Sequence, residues 1–451
     1  MNNIKLISIT TFLGSLLLSV LNLLLYSERT FESSSMIIAF WFLIFTPLAF
    51  LIIFDRLSLL SPSLFISLSI VLYEIPKVTI YSYFTTSSLN PERSFIYTND
   101  VNFDAVINYQ LFTLAFVFIL FISEIVIKEA IFVTQKSSLI KHENIFYFSK
   151  YLSYFSLAAL AVITVYFLVS SGFNPLFYLL RRSNSLFYSD NRFPYFLFML
   201  INFILFISPL LRLYSVRLWV GVLLLSGLLS YLTTGSRGFL IYAILANIIA
   251  YIYDTKKLPT FRVFIIGLII ISSFSVLGAL RRNADTLDWS SIYSSSDSSS
   301  LSDYQAQMRD EVIFSNIGHI NDEFYLRTIT MPIFSFIPRE LIGELKPVMI
   351  DGLVAQEIFG RFNVGFPVNI STEVFLNFGF FGVLYASFLV MISLILQTWC
   401  VNRGVINIYI SFMVLSQTFL SSKLVFSVQS LLMFFLLYAF FLKIDLRLKL
   451  K

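Results

Sequence analysis

Runs of about twenty mostly apolar residues recur along the chain, the length a helix needs to cross the roughly 30 Å hydrocarbon core of a bilayer. On that rule the pattern predicts twelve spans, at residues 5–26, 36–54, 60–81, 105–130, 150–171, 195–211, 218–233, 239–253, 263–280, 374–396, 405–422 and 424–442. The third carries Glu74 and Lys77 near its end, and little more than Lys423 separates the last two, so the count lies between ten and twelve. The apolar run from Ile7 to Tyr26 is too long for a signal-peptide core and lacks a small-residue cleavage site, which makes it a first span. The fold class is therefore all-α, a polytopic integral membrane protein.

The polar intervals between the runs are short, with one exception. Residues 281–373 form a long loop, and the chain divides around it. Residues 1–280 make an N-terminal transmembrane bundle of about nine helices. Residues 281–373 are the large loop, with interfacial helices, and 374–451 hold the C-terminal spans and a basic tail. Within the loop, 290–300 contains eight serines in eleven positions, a composition that cannot bury a core. The stretch from Met331 to Ile337 is apolar yet too short to span, which predicts a dip into the membrane interface. A second loop on the same side, 172–194, mixes aromatic and basic residues.

Composition agrees with this layout. Hydrophobic residues make up 57% of the 451 and charged residues 13%, against about 25% charged in ordinary soluble domains. The mean hydropathy is +0.83. A surface so poor in charge cannot face water, and this excludes soluble enzymes and nucleic-acid-binding proteins. One cysteine, Cys400, permits no intramolecular disulfide, and with only His142 and His319 no metal site of the Cys/His type can be built.

The formal net charge of +5 changes meaning once it is sorted by side. With both termini in the cytoplasm, the inner segments carry about +10 and the outer ones about −5. The inner loops 134–147 and 254–262 and the tail 443–451 supply the positive-inside signal. Arginine and lysine separate: twelve of eighteen arginines fall outside, but only three of thirteen lysines, Lys77, Lys346 and Lys423. Topology signalling does not distinguish the two cations. A guanidinium matches phosphate or carboxylate oxygens in pairs and stays charged when desolvated. An arginine-rich outer face therefore points to an anionic ligand; the competing reading is that these arginines pair with outer acids to hold the loops together.

Position singles out several of them. Arg237 lies in a tight turn, Thr234-Gly235-Ser236-Arg237-Gly238, where the glycines allow a ligand close to the backbone. Arg281 and Arg282 end the ninth span, where plain snorkelling is the alternative. Arg339 follows Pro338 in the interfacial stretch, with Lys346-Pro347 beyond it; Arg361, Arg181 and Arg182 complete the outer basic set. For proton transfer, His319 is the only outer histidine, with an unperturbed pKa near 6.5 suited to a general base, although a lone histidine also serves structural roles. Glu373 stands where the loop re-enters the membrane, and partial burial there would favour its acting as a base. No Asp-x-Asp pair occurs in an outer loop, which argues against a metal-bound nucleotide-sugar donor, and no Walker loop, Gly-x-Ser-x-Gly elbow or His-Glu-x-x-His is present. Within the spans, Glu74 with Lys77 and Glu124 with Lys128 sit near helix ends at spacings that permit pairing. An otherwise empty midplane argues against a proton-coupled carrier.

Thr234-Gly235-Ser236-Arg237-Gly238, then Ile337-Pro338-Arg339-Glu340 with Lys346-Pro347, then Gly365-Phe366-Pro367 leading to Glu373-Val374-Phe375-Leu376-Asn377-Phe378-Gly379-Phe380-Phe381-Gly382, resembles the bacterial O-antigen (oligosaccharide repeat unit) polymerase family, Wzy. The likeness covers roughly 230–385, and the span count fits over the whole chain. It implies a metal-independent, GT-C-like glycosyltransferase of the bacterial inner membrane that needs no cofactor, with the large loop and active site on the periplasmic face. Such an enzyme moves a growing glycan from undecaprenyl pyrophosphate onto a new carrier-linked repeat unit in lipopolysaccharide biosynthesis, with a chain-length regulator as a partner. The similar O-antigen ligases grip the pyrophosphate with outer arginines and use a histidine of the large loop as base; Arg237, Arg281 or Arg282, and His319 lie in the corresponding order here. The Arg-x10-Gly motif of some polymerases has no match in 172–194 or 281–373. Two alternatives share parts of the pattern. An O-antigen ligase would transfer finished glycan to the lipid A core, and a lipid-linked oligosaccharide flippase would carry it across the membrane.

Overall fold

A computed structural model describes residues 31–54, 57, 58, 60–74, 77, 103–131, 142–170, 192–234, 238–255, 309–315, 330, 334, 350–358, 368–416 and 427–440. Every regular element among the described residues is helical: α1 (Phe31–Ile53), α2 (Pro62–Glu74), α3 (Phe103–Ile131), α4 (His142–Ser170), α5 (Arg192–Leu211), α6 (Val216–Thr234) and α7 (Gly238–Thr255) come first. They are followed by α8 (Arg309–Ser315), α9 (Ile350–Leu353, running into a π turn at Val354–Ile358), α10 (Ile370–Phe378), a 3-10 turn (Gly379–Leu384), α11 (Tyr385–Asn402) and α12 (Ile406–Leu415). The last is α13 (Ser427–Phe440). Four stretches are long and apolar enough to cross a membrane, Ser35–Ile53, Asp104–Glu129, Ile145–Val169 and Ile370–Asn402. Shorter apolar helices accompany them at 62–71, 196–211, 216–231, 239–255, 406–415 and 427–440.

These positions follow the apolar runs closely, with informative differences at the ends. α4 begins at His142, inside the interval read as a loop from 134 to 147, and the run read as one span from 374 to 396 is three elements. The predicted spans 5–26 and 263–280, the serine-rich segment and most of the large loop lie outside the described residues.

The chain groups into two compact units. The first contains residues 1–136, 297–395 and 418–422. Its hub is α3, which packs against α1, α2, α8, α10 and the 3-10 turn. At 29 residues α3 is about 43 Å long, so it exceeds the hydrocarbon thickness. Asp104 in its first turn and Lys128 in its last oppose the helix dipole at each end. The second unit contains 137–296, 396–417 and 423–451. Here α5 is the hub, against α4, α6, α7 and α12. Residues 200–211 of α5 and all of α12 are buried, as expected of helices apolar on every side.

Large apolar side chains lie exposed on the outer faces. On α4, Val162, Val165 and Val169 form one exposed stripe; on the 3-10 turn Phe381 is 80% exposed. Buried positions meanwhile include many polar residues, among them Glu74, Lys77, Glu124, Asn247 and Asn369. Polar groups inside and bare apolar groups outside is the distribution that a hydrocarbon solvent favours.

Candidate functional site

The densest polar site among the described residues lies in the first unit, where α2, α3, α8 and the start of α10 converge. Lys77 is its centre. The Nζ donates to Asp310 Oδ2 at 3.0 Å and to Glu311 Oε1 at 3.1 Å, and pairs with Glu74 Oε1 at 3.1 Å. The Tyr109 hydroxyl donates to Glu74 Oε1. Asn369 then ties the parts together: its backbone N–H donates to Asp310 Oδ1 at 2.9 Å, and its Nδ2 donates to Glu74 Oε1 and to the Tyr109 hydroxyl, each at 3.1 Å. The Lys77 ammonium also lies over two aromatic faces, 4.6 Å from the Tyr109 ring centre and 5.2 Å from that of Tyr73. All four charged side chains are essentially inaccessible to solvent.

Local sequence explains how the groups arrive. Glu74 ends α2 and Lys77 follows three residues on, a spacing at which the two side chains meet. Asp310 and Glu311 occupy the first turn of α8, and Asn369 is the N-cap of α10. An aromatic and aliphatic layer lies beside the polar site: Phe314 stacks on Phe375 with ring centres 4.1 Å apart, and Phe112 meets Phe375 edge-on at 5.4 Å. Ile313, Leu353 and Val368 complete that layer. Burying the layer holds α8 against α3 and α10, and the position of α8 fixes the two carboxylates on Lys77.

The charge balance is the chemical point. Three carboxylates face one ammonium, a formal excess of two negative charges when all are ionised. Arg309, adjacent in sequence, acts electrostatically on the same site through Tyr73. Such a site attracts a proton or a cationic group. Among the described residues no set of three His, Cys, Asp or Glu side chains is placed to hold a metal ion.

Of the residues singled out by sequence, Glu373 belongs to the described part. It sits in the first turn of α10, 2% exposed, one turn from the Asn369 cap, whose carbonyl accepts its backbone N–H at 2.9 Å. One turn further, Asn377 Nδ2 donates to the Glu373 carbonyl at 2.6 Å. Beside it the Ser371 hydroxyl bonds that of Thr113 on α3 at 3.0 Å, and the Glu373 charge acts on Tyr385. His319, Arg339, Arg237, Arg281, Arg282, Lys346, Arg361, Arg181 and Arg182 lie outside the described residues, although Thr234 and Gly238, which flank the Arg237 turn, end α6 and begin α7.

Sequence reading anticipated both pairs within the spans. Glu74 meets Lys77, and Glu124 meets Lys128 at 2.5 Å. Glu124 does more than pair: its Oε2 accepts the backbone N–H of Ser63 at 2.9 Å and the Ser63 hydroxyl, so an acid from α3 caps the positive end of α2. The enlistment of Asp310 and Glu311 was missed, because a partner 233 residues away leaves no spacing signal. The available clue was Arg309-Asp310-Glu311 directly before the apolar Val312-Ile313-Phe314.

No family model, no curated protein and no solved structure matches the chain.

Proposed function

We propose that this protein polymerises lipid-linked oligosaccharide repeat units as a metal-independent glycosyltransferase of the bacterial inner membrane, an O-antigen polymerase working on the periplasmic face. About twelve spans carry it, with both termini in the cytoplasm. The acceptor sugar hydroxyl attacks the anomeric carbon of the donor glycan, and the carbon–oxygen bond to undecaprenyl pyrophosphate breaks. The pyrophosphate leaves with the bonding electrons, and the hydroxyl proton passes to a base, His319 or Glu373. Arg237, Arg281, Arg282 and Arg339 would stabilise the departing charge, a role often worth several kcal/mol in such sites. Lys346, Arg361, Arg181 and Arg182 would hold the remaining anionic or glycan groups.

The observation that carries this reading is the environment of Glu373. It lies within the stretch that resembles the polymerases, buried in the first turn of a helix that ends six residues later at Gly379. A carboxylate shielded from water at a break in an apolar run has the surroundings of a general base.

The test is chain growth by the purified protein supplied with carrier-linked repeat units alone. Arg237→Ala and Arg339→Ala should abolish long products while protein levels persist; retained long chains would remove that arginine from the mechanism. In cells, loss of a polymerase leaves single repeats on the lipid A core, whereas loss of a ligase leaves none. The Lys77 cluster gives a second reading some support, because ionisable groups held within apolar helices often mark proton pathways in carriers. Chain growth without a transmembrane gradient would exclude a pure carrier.

A further inference from the structure

Asn202, near the middle of α5, is 6% exposed, and among the described residues neither its Nδ2 nor its Oδ1 has a hydrogen-bond partner. It lines a cavity within the second unit together with Phe206, Phe239, Leu415, Ser427 and Ser430. The space is partly open; counted with the gaps between lining atoms and its open side it is about 230 Å³, and its centre admits a group the size of one water molecule. On α12, Ser411 lies one turn before Leu415; it is fully buried, and its hydroxyl also has no partner among the described residues.

A carboxamide with no partner at this depth is costly. Proteins rarely leave a buried amide unsatisfied, and lipid around the helices offers no substitute. Unpaired donors and acceptors that share a cavity are ordinarily satisfied by a bound polar group. The lining decides which kind. Among the described residues it contains one carboxamide and two serines and no charged side chain, so none of them balances a phosphate or an ammonium. Asn202 offers both an acceptor oxygen and donor N–H groups, which suits a partner that is itself donor and acceptor. A hydroxyl is the smallest such group.

We infer that Asn202, with Ser427 and Ser430, forms a binding site inside the second unit for a single neutral hydroxyl group, supplied by water or by the alcohol of a small ligand. The site bridges α5 and α13 beside α7 and α12. It is independent of the polymerase reading and of the Lys77 cluster.

The experiment is X-ray hydroxyl-radical footprinting of the full chain in lipid nanodiscs, with native mass spectrometry of the same sample. Radicals born from a bound water oxidise the side chains beside it. Phe206 and Phe239 should therefore be modified several-fold more than Phe203, a ring of α5 as buried as Phe206 that does not line the cavity. Asn202→Leu should remove that excess, and Ser430→Ala, a smaller change to the packing, should reduce it. If an alcohol is the source, Phe206 and Phe239 are instead protected, and a retained adduct disappears in Asn202→Leu. Equal labelling of all three rings without an adduct, or an excess unchanged by both substitutions, would overturn the inference.

Discussion

Lys77 shows how far one side chain can govern a buried site. With three carboxylates around it, removal of its charge takes away the ammonium that all three share in a low-dielectric interior. Lys77→Met keeps most of the volume and should cost about 3–5 kcal/mol, the usual penalty for breaking a buried ion pair from one side. Thermal unfolding in detergent would read this as a large fall in Tm. Adding Glu311→Gln should recover part of the loss, because one of the crowded carboxylate charges goes with it. Recovery of nothing would mean that packing, and not charge, sets the cost. Glu373 calls for a different measurement. Glu373→Gln is close to isosteric and should leave Tm near that of the parent. If Glu373 is the base, chain growth is abolished; if His319→Ala alone abolishes it, the histidine is the base. The residue types and the local pairs were legible in the sequence, since spacings of three and four speak directly of a helix. The gathering of Glu74, Tyr109, Asp310, Glu311 and Asn369 around one lysine was not legible, because it depends on where α8 packs.

At the scale of elements, hydropathy located the helices but could not see how one of them breaks. The run from Ile370 to Asn402 has a high average hydropathy, yet it contains a short helix, a 3-10 turn and a longer helix. Two glycines account for the break, each by a different mechanism. Gly379 closes α10 with φ at +57°, a conformation that side chains with a Cβ resist, although the space around it is open. Gly382 has ordinary φ but lies against α10, where an added Cβ would come within 2.7 Å of Val374 Cγ1 and 2.8 Å of its carbonyl oxygen. Gly379→Ala should cost about 1–2 kcal/mol from backbone strain. Gly382→Ala should also destabilise, and Val374→Ala should relieve it only in part, because the backbone carbonyl remains in the way. Full rescue by Val374→Ala in a Tm series would show that the side chain alone sets the contact. Glycines three apart within an aromatic run carry this break, and a hydropathy window averages them away.

For the whole molecule, the positive-inside distribution predicts that loops 134–147 and 254–262 and the tail 443–451 share one side, with 281–373 on the other. Single cysteines introduced in these segments should react with a membrane-impermeant maleimide from opposite sides of sealed vesicles. The native Cys400 is fully buried and should stay unlabelled until the protein is unfolded, which gives a clean background. Labelling of 281–373 and of the tail from the same side would overturn the topology and, with it, the periplasmic site. By itself the sequence determined that the chain is helical and too apolar for water, where most helices lie, and which local pairs form, because each of these follows from composition and from neighbours within a turn or two. Only the tertiary structure decided which distant carboxylates crowd Lys77, which asparagine stands without a partner in a cavity, and where an apolar run bends. The first two depend on helices packing across hundreds of residues of chain, and contacts of that range leave no period in the sequence; the third turns on single glycines that hydropathy averages away.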